Sequence, residues 1–200
     1  MTILEKSCSK LSCLIKEKVV GIDNEKMEII NYGLYLIITD NIKTLITLVI
    51  AYFLGVFKYV VLTMICIAVL RVNSGGVHAK TFFGCLIANN IIIYSITYLS
   101  IYLHNINKIV ITAILLPICL LILYLYAPSD HENKPVVSKK QIKRLRVTSF
   151  SVLFGEYLIA YLFFSQSISN IIMFSTFSVA IAMMPITYKI TKNKHSDFNF

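Results

Sequence analysis

The sequence predicts an all-α, polytopic membrane protein: about six transmembrane helices preceded by an N-terminal amphipathic surface helix. Three observations lead there. Of the 200 residues, 57% are hydrophobic and 14% are charged. A soluble domain carries about 25% charged residues, so the polar residues here cannot cover the apolar ones and lipid must solvate much of the surface. The apolar residues gather in runs near 36–56, 58–71, 82–103, 108–127, 147–165 and 168–188, and a helix needs about 20 apolar residues to cross the hydrocarbon core. The lysines and arginines fall almost entirely in the segments that alternate crossings leave on one side. No stretch alternates apolar and polar residues for long enough to form a separate soluble domain, so 1–200 reads as a single integral membrane domain.

The elements follow in order. Leu4, Cys8, Leu11, Ile15 and Ile22 recur at helical spacing with lysines between them. That pattern predicts an amphipathic helix over 2–20 lying on the membrane surface. The interleaved lysines leave no uninterrupted core for a cleaved signal peptide. Gly21 ends this helix, and Asp23 or Asn24 can cap a second one that runs into the first span. Residues 1–33 thus form amphipathic N-terminal helices and 34–190 the transmembrane bundle. The second apolar run is short, since only 12 residues separate Lys58 from Arg71. Either Lys58 snorkels and lengthens the span, or the run makes a short or re-entrant hairpin. Runs three to six meet or nearly meet the crossing length. Residues 128–146 form the one substantial polar loop, and it is basic.

With the N terminus in the cytoplasm and six crossings, every one of the 19 basic residues except Lys58 and Lys108 is cytoplasmic. This is the bias of the positive-inside rule. It predicts a multi-pass protein of the cell membrane with both termini, the 128–146 loop and the 71–80 loop in the cytoplasm. The net charge of +9 then faces anionic headgroups of the bilayer. A nucleic-acid partner is not needed to explain it. The basic loop also suits an acidic peptide.

The chemistry concentrates in one stretch, Arg71-Val-Asn-Ser-Gly-Gly-Val-His78-Ala-Lys-Thr-Phe-Phe-Gly-Cys85. Gly75-Gly76 permits backbone that side chains would forbid. A thiol and an imidazole seven residues apart are the minimal apparatus of a cysteine nucleophile: the thiolate attacks, and His accepts and returns the proton. On a straight helix such residues differ by roughly 10 Å in height, too far for a hydrogen bond, so the Gly pair must fold His78 back, the helix must break, or substrate must close the pair. A packed thiol and a wetted interfacial histidine remain the bland alternatives. Gly75 and Gly76 are candidates for oxyanion-binding N–H groups or simply for a turn. Asn89, one turn after Cys85, either orients His78 or makes a helix–helix hydrogen bond. Glu156 is ionisable inside an apolar run and is a substrate-site candidate or a buried structural bond. Arg71 is an interfacial anchor or a carboxylate grip. Cys8 and Cys13 have no second CxxC-like pair and no nearby histidine, so no metal is expected; Cys66 and Cys119 read as buried reduced thiols, and no motif calls for a cofactor. A small transporter or permease for a peptide or anion, and a non-catalytic membrane scaffold, stay open on these residues.

The block Arg71, Gly75-Gly76, His78-Ala79 and Cys85 resembles the signature of the accessory gene regulator protein B family, bacterial processors of quorum-sensing peptides. The lysine-rich N terminus, the six runs and the Tyr126-Ala127-Pro128 to Lys134-Pro135 segment resemble the family too. The resemblance implies a membrane-embedded cysteine endopeptidase with His78 and Cys85 as catalytic pair. Its substrate would be a small precursor signalling peptide, cut in its C-terminal region. A Cys85 thioester would then be attacked by a cysteine or serine of the bound peptide, giving a thiolactone or lactone ring. Arg71 would match the family arginine and hold substrate or loop. A homodimer is implied by the resemblance as well.

Overall fold

The computed structural model describes residues 10, 12–13, 23–77, 81–129, 138–163, 165–191 and 193. They divide into two compact units, 1–50 and 51–200. Six helices among the described residues are long and apolar enough to cross a membrane, which makes the chain an all-α, multi-pass membrane protein.

In the first unit, Lys10, Ser12 and Cys13 are helical; the rest of the expected surface helix over 2–20 lies outside the described residues. Helix α1, Asn24–Phe53, is continuous into the first apolar run. Asp23 caps it: its Oδ1 accepts from the Lys26 amide at 2.8 Å, satisfying one of the orphan donors of a helix start. Within α1, Lys43 pairs with Asp40 at 2.6 Å, the local ion pair that their spacing favours.

The second unit holds α2 (Phe57–Ser74), α3 (Phe82–Tyr102), a 3₁₀ turn (Leu103–Asn105), α4 (Lys108–Tyr126), α5 (Lys139–Phe163), α6 (Gln166–Met183) and the short α7 (Pro185–Ile190). Helix α6 is the hub and packs against α2, α3, α4 and α5. Its span is 56% buried, against 22–28% in the unit's other spans. Small residues make this possible: Ser169, Ser175, Thr176 and Ala180 are buried and let neighbouring backbones approach. The core joins Cys66 and Leu70 of α2, Leu115 and Cys119 of α4, Leu153 and Tyr157 of α5, and Met173 and Val179 of α6. Cys66 and Cys119 are buried free thiols, as packing cysteines tend to be. Many large apolar side chains on the other helices are exposed, among them Val69, Phe83, Ile114, Tyr124 and Leu158. That is the inside-out pattern lipid permits.

One open alternative closes and two expectations change. The short second run is no re-entrant hairpin: it lies in a continuous 18-residue helix, about 27 Å long at 1.5 Å per residue. Lys58 stands in its first turn, and the helix runs on three residues beyond Arg71. Residues 139–146, expected as loop, are the first turns of α5. Their lysines and arginines are good helix formers with no proline or glycine among them, and Ile142 is buried. The sixth run breaks at Met184, where Pro185 starts a separate turn, the first helical position at which proline is favourable.

Candidate active site

The ends of α2, α4 and α6 meet around one short piece of loop, with Arg146 from the start of α5 beside it. Helix α2 stops because Gly75 takes φ 78° and Gly76 φ 125°, both in the region that favours glycine. The Gly75 amide closes the helix on the Arg71 carbonyl at 2.9 Å. From there the chain pairs with the segment after α4. The Ser129 amide donates to the Ser74 carbonyl at 2.8 Å, and the Gly76 amide donates to the Ser129 carbonyl at 3.2 Å. Gly75 and Ser129 thus form an isolated parallel bridge. A β-carbon on Gly75 would fall on the Ser129 carbonyl. The Val77 amide donates to the Ala182 carbonyl at 3.0 Å.

Arg71 completes the arrangement. It lies in the last turn of α2, and its Nη2 donates to the Val77 carbonyl. Of the two roles expected for it, holding the loop is the one this contact performs. The Gly75 and Gly76 amides are both engaged within the protein, so an oxyanion could reach them only by displacing the Arg71 or the Ser129 carbonyl. His78 lies outside the described residues, one peptide bond beyond Val77.

Cys85 sits in the first turns of α3. Thr81 starts this helix, its Oγ1 accepting from the Gly84 amide at 3.1 Å, and the Cys85 amide donates to the Thr81 carbonyl at 2.9 Å. The thiol is buried, with 7% exposure. The spacing argument for Asn89 holds geometrically: its Nδ2 is 3.9 Å from the Cys85 sulfur, which places a polar donor against the thiol. Asn90, one residue on, instead donates to the Leu86 carbonyl at 2.7 Å.

Glu156 does not join this group. It lies ten residues along α5 from Arg146, about 15 Å by helical rise, and its Oε2 is buried without a hydrogen-bond partner among the described residues. It faces α2 closely enough to interact electrostatically with Cys66. Beside it, the Tyr157 hydroxyl meets Thr176 Oγ1 at 3.4 Å and the Cys119 sulfur at 3.9 Å. This is a polar layer in mid-bundle, separate from the helix ends.

Sequence reasoning missed four residues at the site. Ser129 Oγ and the Tyr188 hydroxyl are 2.7 Å apart. Arg146 Nε donates to the Ala127 carbonyl at 2.9 Å, and Ala182 accepts from Val77. The Tyr126-Ala127-Pro128 segment drew notice only as a resemblance, and nothing in its spacing points 54 residues back to Gly75.

The accessory gene regulator B family model matches residues 8–184. The chain belongs to the accessory gene regulator B family. It is therefore a multi-pass membrane protein of accessory gene regulator quorum sensing. Relatives in this family include an AgrB-like protein of Clostridium acetobutylicum, 27% identical over 98% of this chain and 93% of its own length. A second AgrB-like protein, from Clostridium perfringens, is 30% identical over 89% of this chain and 90% of its own. The accessory gene regulator protein B of Staphylococcus aureus is 27% identical over 75% of this chain and 80% of its own. No solved structure matches the chain. Within the matched residues, the structure places Arg71, Gly75, Gly76 and Cys85 at one end of the 51–200 unit.

Proposed function

We propose that this chain is a membrane-embedded cysteine endopeptidase that cuts the C-terminal region of a small precursor signalling peptide and enables its cyclisation. Cys85 is the nucleophile and His78 the proton carrier. The observation that carries the reading is the built backbone at 75–77, immediately before His78. Arg71, Ser129 and Ala182 fix three consecutive residues through hydrogen bonds to their backbone, two of them at positive φ, a geometry a simple helix connection does not need. A buried thiol with an amide donor beside it supplies the second half of a nucleophilic pair.

In the first step the Cys85 thiolate adds to a peptide carbonyl, the C–N bond breaks, and His78 returns its proton to the leaving amine. The peptide is left as a thioester. A thiol or hydroxyl within that peptide then attacks the thioester carbonyl, closing the ring and releasing Cys85. Burial of the sulfur helps, because water at the thioester would give a linear product. Arg71 and Asn89 support the reacting groups. Glu156 lies too deep along α5 for this site, so its role is in the bundle.

The site faces the cytoplasm of the cell in this reading, because the basic residues Arg71, Arg144, Arg146 and Lys189 cluster at its end of the bundle. Labelling a Ser138→Cys variant from outside intact cells would contradict that orientation. The chain acts as a homodimer, and a monomeric mass in nanodiscs would count against this. The activity itself is tested by co-expression with a short candidate precursor peptide that carries an amphipathic N terminus, a central Cys or Ser and an acidic C-terminal tail. Cys85→Ala abolishes cleavage while Cys13→Ala leaves it unchanged. Normal cleavage by Cys85→Ala would overturn the reading.

A further inference from the structure

The segment 127–129 does more than end α4. Ser129 brackets Gly75 with its own backbone, donating to the residue before and accepting from the residue after. The position of Gly75-Gly76 is therefore no better fixed than that of Ser129. Two side chains fix Ser129 in turn. Arg146, from the start of α5, grips the Ala127 carbonyl, and Tyr188, from α7, bonds the Ser129 hydroxyl. Ala127, Ser129 and Tyr188 are 1%, 6% and 2% exposed, so none of the three is available to a bound peptide. The backbone that these contacts hold leads through Val77 to residue 78.

We infer that Arg146, Ser129 and Tyr188 are positioning residues: through the 127–129 strap they set the chain from which His78 is presented to Cys85. The inference rests on the cysteine-peptidase reading above and adds residues from three elements that the sequence keeps apart. It carries a signature that general destabilisation lacks. Residues that act only through His78 have no effect once His78 is gone, so their effects and that of His78 do not multiply.

The test uses the full chain in lipid nanodiscs and reads the rate at which iodoacetamide alkylates Cys85, followed by peptide mass mapping. Wild type, His78→Ala, Tyr188→Phe and the double variant are compared. His78→Ala slows alkylation about tenfold. Tyr188→Phe, which deprives a buried Ser129 hydroxyl of its partner, slows it by up to about tenfold, the scale of one unpaired buried group. The double variant is no slower than His78→Ala alone. Adding Ser129→Ala to Tyr188→Phe restores part of the rate, because removing both partners of a buried bond is milder than removing one. If Tyr188→Phe is not monodisperse, Ser129→Ala and Arg146→Gln take its place in the same cycle. Effects of Tyr188 and His78 that multiply, or a Tyr188→Phe rate equal to wild type, overturn the positioning role while leaving the peptidase reading intact. A His78→Ala rate equal to wild type overturns both, since the strap then has no pair to position.

Discussion

The two ends of the 51–200 unit are closed by different means. At one end the helices finish in the ordinary way, with side chains covering orphan backbone groups. Gln166 Oε1 accepts from the Lys108 amide at 3.1 Å, and Lys108 Nζ donates to the Tyr161 carbonyl at 2.6 Å. Asn170, fully buried, donates to the Leu103 carbonyl at 3.1 Å and accepts from Gln166 at 2.9 Å. At the other end, backbone pairs with backbone across three helix ends, two glycines hold positive φ, and Arg71 and Arg146 grip main-chain carbonyls. The first design needs only that the helices stay together. The second specifies where three residues of loop lie, and that is the end where the thiol is found.

The comparison can be broken from either side. The largest effect is expected from Gly75→Ala, which would set a β-carbon on the Ser129 carbonyl at a φ that L residues disfavour. It should lower stability by about 2–4 kcal/mol and abolish precursor cleavage; thermal unfolding in detergent and a cleavage assay check this together. Arg71→Lys keeps the charge but loses the planar fork. Cleavage should fall about 100-fold, the effect of a misplacement near 1 Å, while the melting temperature moves little.

At the opposite end the expected pattern reverses. Asn170→Ala should cost about 1–3 kcal/mol, because it leaves buried groups unpaired, yet cleavage per folded molecule should stay at the wild-type value. Lys108→Gln should change stability by about 0.5 kcal/mol or less, with no effect on cleavage. A loss of specific activity in Asn170→Ala would show that the two ends are not functionally distinct.

Much of the fold was legible because its signals are local. The apolar runs mark the spans, Asp23 caps α1 from three residues away, and Asn89 meets Cys85 because one helical turn brings them together. The Gly75-Gly76 pair announced irregular backbone for the same reason. What it pairs with was not legible. Ser129, Ala182 and Tyr188 are ordinary residues whose importance arises only when the ends of α4, α6 and α7 are brought beside α2, and no periodicity encodes that. Arg146 was read as one more positive-inside charge, since a chain of basic residues looks alike whether each meets a headgroup or a buried carbonyl. The start of α5 was hidden by the same bias, as charge suggested loop where propensity allowed helix.

The central claim is that the glycine-built end is a peptidase site with Cys85 as its nucleophile. Acid-quenched intact-mass analysis of the protein mixed with the candidate precursor peptide tests this most directly. A thioester adduct should appear, equal in mass to the precursor's N-terminal fragment less water and mapping to Cys85, and it should vanish in Cys85→Ala. Cleavage products accumulating from Cys85→Ala, or an adduct on another residue, would contradict the account.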